Sequence, residues 1–360
     1  MGSPSCCDPR DLGQWRCACG ALESRSPLPT RPFRLLRSPL DGSESVEAES
    51  QEKPESRRRR MNSTSSIDSI SVVIPHYGDP TDAQALLAVL QGGVSRVPVD
   101  FIVVDDASPI SFPETKGVQV LRRTENGGFG TAVNTGIRAA AGTHVLVLNS
   151  DLSVSDSFLD DLVARAAEHG DKVVSPHVVG HSGEAQWVGR RFPSTTQYLV
   201  EWLTVLARFR GTAWWHRAVG HDLRCVAGAV VEVDWVMGAA MLLPREAVRS
   251  AGGFDELFYM NCEEIDLQRR LRREGVPALF LGTVEVAHEG GASTDPLRRR
   301  RWLVDSRFKY AEKWHERPAL QRSVLVCASL VNFVTNGARQ VAGRPISARR
   351  ILREELGLLR

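Results

Sequence analysis

An α/β fold built on a largely parallel sheet is what this 360-residue chain predicts. From Ser69 onward, short β-branched runs alternate with segments of helical spacing, the order that yields parallel strands joined by helical crossovers. The runs end in polar residues, Asp105 and Asp106 after one and Asn149 and Asp151 after another; in open sheets of this kind ligands gather beyond the carboxyl ends of the strands. Finally, 42% hydrophobic against 24% charged residues suits a globular body with one large core or two modest ones.

The elements follow in order. "SVVIPHY" at 71–77 opens the sheet, the stretch 80–95 reads as helix, and "DFIVVDDAS" at 100–108 returns as a second strand. "VQVLRR" at 118–123 is a third strand, "NTGIRAAAG" at 134–142 a helix, and "HVLVLNSD" at 144–151 a fourth strand. The piece "NGGFGTAVNTG" at 126–136 begins like a dinucleotide fingerprint at Gly128 and Gly130, but Val133 stands where the third glycine belongs, and no strand runs directly into it. Its glycines still let backbone approach a ligand or a helix closely. A Walker loop is absent from the sequence.

"VDWVMGAAMLLPREAV" at 233–248 reads as a buried strand with the small residues Gly238, Ala239 and Ala240. "YMNCEEIDLQRR" at 259–270 gathers Glu263, Glu264 and Asp266 where a helix starts to bury Ile265, Leu267 and Leu271. Acids in a first helical turn stabilise the positive end of the macrodipole whether or not they catalyse anything, so the cluster alone does not establish chemistry.

The two ends of the chain differ from its middle. Residues 1–68 lack sustained apolar periodicity and run through "SRSPLPTRPF" and "ESQEKPESRRRR", which predicts a poorly structured extension. It carries no signal-peptide core, and Met61, after Arg57 to Arg60, is an alternative start. The seven cysteines, among them Cys6, Cys7, Cys17 and Cys19, form no regular framework, so a reducing cytoplasm is expected, with neither a disulfide scaffold nor a zinc site.

Residues 296–360 carry 15 Lys/Arg against 5 Asp/Glu and flank "SVLVCASLVNFV" at 323–334 with arginines. That run is too short to cross a bilayer, which takes about 20 apolar residues. Two readings stay open for it: a helix lying on an anionic membrane surface, at the inner face of the plasma membrane, or one packed on the preceding domain. No nucleic-acid recognition motif accompanies the charge.

"ISVVIPHYGD", "IVVDDAS", "ENGGFGTAVNTGIRAAAGTHVLVLNSD", "VDWVMGAAMLLPREAVRSAGGFDELFYMNCEEIDLQRRLRREG" and "VAHEGGAS" resemble, in order, the motifs of family 2 glycosyltransferases, and in particular those of bacterial rhamnosyltransferases. The resemblance spans about residues 69–315. It implies a GT-A fold over 69–295, a Rossmann-like nucleotide-binding half with a mixed central sheet joined to an acceptor half, followed by C-terminal helices. The implied activity is transfer of a sugar, with inversion, from a nucleotide-diphosphate donor.

The resemblance also implies roles. Asp106 would accept the N3–H of a uracil or thymine, with Asp105 beside it and Pro75 and Tyr77 lining the base pocket; Asn126, Gly128, Asn134 and Asn149 would complete the donor side. Asp151, last in the family's DxD motif, would hold Mg²⁺ or Mn²⁺ with His288, and hard cations of this kind prefer oxygen ligands. Asn149 replaces the motif's first Asp, leaving one strong carboxylate. Glu264 falls on the family's catalytic base, usually Asp, with Glu263 and Asp266 holding acceptor hydroxyls or orienting the base. Trp235, Gly238 and Ala239 would face the acceptor.

The expected reaction moves L-rhamnose from dTDP-L-rhamnose to a polyprenyl-diphosphate-linked glycan. A galactofuranosyl or other donor, a catalytically silent glycan- or nucleotide-binding module, and nucleotidyl transfer are the alternatives.

Overall fold

Strand β1, Ile70–His76, lies at the centre of the parallel half of the sheet, flanked by β2, Val99–Asp105, and β4, His144–Leu148, with β3, Val118–Arg122, beyond β2. This computed structural model describes residues 66–180, 182–288 and 296–360. Cys6, Cys7, Cys17, Cys19, Met61 and nearly all of the expected extension lie outside the described residues, as does the "EGGAS" that follows His288.

Every position of β4 is buried, as a strand covered on both faces requires. Helix α1, Thr81–Gly92, packs Ala83, Leu86, Leu87 and Leu90 into the core at helical spacing. Helix α2, Phe129–Ala139, starts five residues earlier than its sequence suggests, inside the glycine-rich piece. Glycine makes that start feasible: Gly128 caps the helix at φ +85°, and a Cβ there would lie 1.9 Å from the Tyr259 carbonyl oxygen. Gly136 lets the same helix press on β1, where a Cβ would meet Val73 at 2.3 Å.

Beyond β4 the sheet becomes mixed. A two-residue strand β5, Leu152–Ser153, is followed by helix α3, Phe158–Ala167, and strand β6, Val173–Val179. The expected single strand across 233–248 is broken into β9, Trp235–Val236, and β10, Ala240–Pro244, the second antiparallel to both β4 and β6. The long strand β11, Ala278–His288, runs parallel to β6 and pairs antiparallel with β5 and with β8, Val230–Val233. A ribbon made of β7, Gly189–Arg190, and β9 stands apart from the main sheet.

Helices dominate the remainder. Helix α4, Thr195–Trp202, opens with a capping box between Ser194 and Gln197, and α5, Ala213–Ala218, and α6, Arg245–Ser250, are short. Helix α7, Glu263–Arg273, carries the acidic cluster. Helices α8, Pro296–Lys313, α9, Pro318–Val341, and α10, Ala348–Leu358, close the chain.

The large core lies around the sheet and a separate cluster joins Tyr198, Trp202, Phe308, Leu325 and Leu359. A third cluster, of Trp235, Phe258, Cys262, Ile265 and Tyr310, packs α8 against α7. The α/β body with C-terminal helices is therefore the expected one, and residues 66–360 belong to one compact unit.

Candidate active site

The two-residue strand β5 sets the geometry at one end of the site. Its pairing puts Leu152 opposite His288, so Asp151 arrives beside the last residue of β11. The His288 Nε2 stands 3.1 Å from Asp151 Oδ1 and 3.5 Å from the Asn149 side-chain nitrogen. Asn149 is held in turn by its backbone N–H, which donates to the Ala239 carbonyl at 2.8 Å.

The imidazole is oriented from behind. Its Nδ1 lies 2.8 Å from the Gln186 Oε1, while the Gln186 amide donates to the His288 carbonyl at 3.2 Å. With the amide oxygen turned to the ring, Nδ1 must carry the proton, and the Nε2 lone pair of a neutral ring faces Asp151. A lone pair and a carboxylate oxygen at that separation repel unless a cation or proton lies between them. This donor set fits a divalent ion. Among the described residues no group of three or more His, Cys, Asp or Glu gathers for a metal, so two protein ligands would leave the rest of the coordination sphere to donor phosphate and water.

At the other end stands the N-terminus of α7. Asn261 and Cys262 both take left-handed φ of +69° before the helix begins, a cost of about 1–3 kcal/mol each that the surroundings must enforce. The strained turn delivers Glu263 and Glu264 side by side. Burial raises the Glu263 carboxyl well above the usual range, the neighbouring Glu264 charge adding to it, and burial also raises Glu264. Each carries one buried carboxylate oxygen with no hydrogen-bond partner.

Arg190 works against that rise in Glu264. It donates to the Trp187 carbonyl at 3.0 Å and lies over the Trp235 ring at 5.5 Å; burial draws its guanidinium down to about 10. The segment 186–190 therefore joins the two ends of the site, with Gln186 on His288 and Arg190 within the field of Glu264. A second tie runs through α7 itself, where Gln268 donates to the Val236 carbonyl and accepts from the Val236 N–H, both at 2.8 Å.

The glycine-rich loop is fastened to Asp106. Asp106 accepts from the Gly127 and Gly128 N–H groups at 3.1 and 2.9 Å and pairs with Arg123 at 2.7 Å. Burial nonetheless raises its carboxyl, the glycine N–H groups and Arg123 opposing. Asn126 accepts from the Tyr259 hydroxyl at 2.8 Å, and Pro75 and Tyr77 are half-buried at the end of β1. The glycine-rich loop and the segment leading into α7 thus abut through Tyr259.

Four residues expected to meet ligands spend their polar groups on protein partners. Asp105 is fully buried, and its oxygens take the N–H groups of Ser108 and Phe112 at 2.7 and 3.0 Å and the Arg122 guanidinium. Burial disfavours its charge, but these partners win and hold the carboxyl below the ordinary value; it pins the loop after β2. Asn134 spends both ends of its amide on the Phe254 backbone at 2.8 Å. Asp266 is fully buried among Lys313 at 2.7 Å, Arg270 at 2.9 Å and the Trp314 indole N–H at 3.0 Å, so it docks α8 on α7. Trp235 is core, its indole N–H donating to the Arg191 carbonyl at 2.8 Å. Gly238 remains half-buried, with no atom nearer than 3.5 Å to an added Cβ, and Ala239 is buried.

Sequence reasoning missed Gln186, Trp187 and Arg190. Trp187 adopts a left-handed φ of +53° next to Gln186. Its indole stacks 4.1 Å from the His216 ring and 5.4 Å from that of His221, and the two imidazoles are only 5.1 Å apart. Both therefore sit on one side of the indole. Burial, with Arg190 and His216 adding to it, pulls the His221 pKa down to about 2.

Residues 71–236 match the sequence profile of the family described as Glycosyl transferase family 2. The N-acetylglucosaminyl-diphospho-decaprenol L-rhamnosyltransferase of Mycobacterium tuberculosis is 27% identical over 244 residues, 63% of this chain and 78% of that protein. The low-salt glycan biosynthesis hexosyltransferase Agl10 of Haloferax volcanii is 23% identical over 229 residues, 62% of this chain and 67% of the relative. A crystal structure of S. aureus TarS 1-349 in complex with UDP-GlcNAc superposes with a TM-score of 0.43 at 17% identity, covering 73% of this chain and 72% of that one. The family match assigns residues 71–236 to family 2 of the glycosyltransferases, and the α/β sheet whose strand ends present the motif residues is a GT-A-like fold.

Proposed function

We propose that the chain transfers L-rhamnose, with inversion, from dTDP-L-rhamnose to a polyprenyl-diphosphate-linked glycan. The observation that carries a transfer reaction is the Asp151–His288 pair with its ring fixed by Gln186. The sugar and the acceptor are supported by the M. tuberculosis relative, which by its name acts on N-acetylglucosaminyl-diphospho-decaprenol.

In this mechanism an acceptor hydroxyl oxygen bonds to the anomeric carbon as the bond from that carbon to the diphosphate oxygen breaks. Glu264 takes the hydroxyl proton. Its pKa, raised by burial, brings the base closer to neutrality, where proton transfer in the transition state is most effective. Arg190 opposes that rise and so favours the ionised form that acts as base. Asp151 and His288 would hold Mg²⁺ or Mn²⁺, which when bound offsets the charge appearing on the leaving diphosphate. Asn149 stands beside them with an amide donor. Asp106, through Gly127 and Gly128, fixes the loop over which the donor lies, and Trp187 offers the face opposite its two histidines to an acceptor sugar, the role Trp235 cannot fill.

The test is a panel of nucleotide sugars incubated with a polyprenyl-diphosphate-linked GlcNAc acceptor, products read by mass and the released nucleotide identified. The expected result is a deoxyhexose increment with dTDP-L-rhamnose and release of dTDP. A hexose increment from another donor replaces the sugar assignment; release of pyrophosphate, or donor binding without turnover, removes the transferase mechanism.

A further inference from the structure

Helix α9 is built inside out. The positions it buries include Gln321, Ser329, Asn332 and Asn336, whereas its outward side carries Leu320, Cys327, Leu330, Val331, Val334 and Val341, with Val334 69% and Val341 91% exposed. These outward residues recur at intervals of three, four and seven, so they form one stripe along the helix.

Two of the inward polar groups, those of Ser329 and Asn332, hold the helix to the protein, while the Gln321 and Asn336 side-chain nitrogens are buried without a partner. The Trp202 indole donates to the Ser329 hydroxyl at 2.8 Å, and the Asn332 amide donates to the Trp202 carbonyl at 2.8 Å and to Glu355 at 3.0 Å. Polar contacts inside and apolar side chains outside reverse the arrangement of a helix facing water. It is the arrangement of a helix facing lipid, where internal polar groups pair with one another because the surroundings offer no partners.

Charge defines how the stripe meets a bilayer. No charged residue lies between Arg322 and Arg339, a span of 17 positions or about 25 Å of helix, short of the roughly 30 Å hydrocarbon core. The opposite face is committed to α4 and α10, so α9 cannot be surrounded by lipid. A helix lying in the interfacial plane satisfies both conditions. The arginines that follow, Arg339, Arg344, Arg349, Arg350 and Arg353, are all exposed, placing positive charge at one end of the stripe, where anionic headgroups complement it.

We infer that the outward face of α9 docks in the plane of an anionic phospholipid bilayer. This stands on α9 and its arginines alone, whichever sugar the enzyme moves. It also gives a reason for the polar groups on the buried face, where Ser329 and Asn332 join Leu325 and Ala328 in positioning the helix on the protein.

The full chain is sedimented with vesicles of phosphatidylcholine, with and without phosphatidylglycerol. Binding to the anionic vesicles is expected to be at least about tenfold tighter and to weaken with salt. Leu330→Glu with Val334→Glu, both on the exposed stripe, is expected to lower it at least about tenfold with the melting temperature unchanged. Arg349→Ala with Arg353→Ala is expected to lower anionic binding selectively. Sedimentation velocity of the same proteins supplies the counter-test: a dimer broken by the glutamate pair, with vesicle binding absent or unaltered, overturns the inference in favour of a second copy on this face. Failure of the anionic vesicles to bind the native chain overturns it outright.

Discussion

His288 and Gln186 hold each other at both ends: ring Nδ1 to amide oxygen at 2.8 Å, and amide nitrogen to backbone carbonyl at 3.2 Å. The double contact fixes which imidazole nitrogen faces Asp151. Gln186 belongs to no sequence motif, and its role is visible only from this pairing across 102 positions.

Gln186→Ala should therefore weaken divalent-ion binding by about 10- to 100-fold, the usual cost of losing the group that orients a ligating histidine. Titration with Mn²⁺ followed by calorimetry checks this without any turnover. His288→Ala should weaken it further, and Gln186→Glu, which retains an acceptor, should recover part of the loss. Unchanged Mn²⁺ affinity in Gln186→Ala would mean that the ring is not held for an ion.

The glutamate pair makes a prediction in pH and in stability. Glu264→Gln should lower turnover by about 10²–10⁴-fold with donor affinity retained, the range for removal of a general base. In the native enzyme the acid limb of the kcat profile should lie above the ordinary glutamate range, because burial raises that carboxyl. For stability the sign is opposite to that of an ion-paired acid. A carboxyl with a raised folded pKa binds more protons folded than unfolded, so its contribution is present below the unfolded value and is lost as pH rises through the folded one. Glu263, raised well above its ordinary value, is then a liability at neutral pH. Glu263→Gln should raise the melting temperature at pH 7.5 by about 2–4 °C and flatten its fall between pH 5 and 8; an unchanged slope would show that Glu263 is not the titrating group.

Asp266 offers a cleaner separation of fold from chemistry. Removing a buried carboxylate that holds Lys313, Arg270 and the Trp314 indole leaves the indole N–H without its acceptor and two half-buried cations with only their remaining partners, Asp255 for Lys313 and the Ala251 and Gly253 carbonyls for Arg270. Asp266→Ala should cost about 3–5 kcal/mol, as breaking one side of a buried ion pair does. Urea unfolding measures it. The folded fraction should keep the native acceptor KM, whereas a raised KM at equal folding would return Asp266 to the acceptor site.

Asp266 also shows what the sequence conceals. Strand ends and the order of motifs are readable because local periodicity and spacing encode them, whereas the meeting of Asp151 with His288 was implied only by the resemblance to family 2 glycosyltransferases. Partners are not. Asp105, Asn134, Asp266 and Trp235 have the composition of ligand-binding residues, yet their partners include Arg122, Phe254, Trp314 and Arg191, 17 to 120 positions away. An acid beside a sheet end looks the same in sequence whether it awaits a ligand or already holds an N–H. The break between β9 and β10 was hidden similarly, since both strands are apolar and the gap at Met237 to Ala239 is set by Met237 donating to the Val188 carbonyl at 3.1 Å.

The two tryptophans of the acceptor end give the last prediction. Trp235 is 6% exposed with its N–H satisfied, whereas Trp187 is half-buried with both imidazoles on one side of its ring. An aromatic face is worth about 0.5–1.5 kcal/mol beyond its buried area when it stacks, so Trp187→Ala should raise the acceptor KM about 2- to 12-fold while the donor KM changes little. Trp235→Ala should cost about 3–5 kcal/mol of stability, the range for deleting a core aromatic, with the acceptor KM of the folded enzyme nearly native. Trp187→Phe should restore most of the loss, because stacking needs a ring and not the indole N–H. Steady-state kinetics on the three variants, alongside thermal melts, decides it: if Trp235→Ala carries the KM effect and Trp187→Ala does not, the acceptor approaches from the β9 side and the platform has been assigned to the wrong ring.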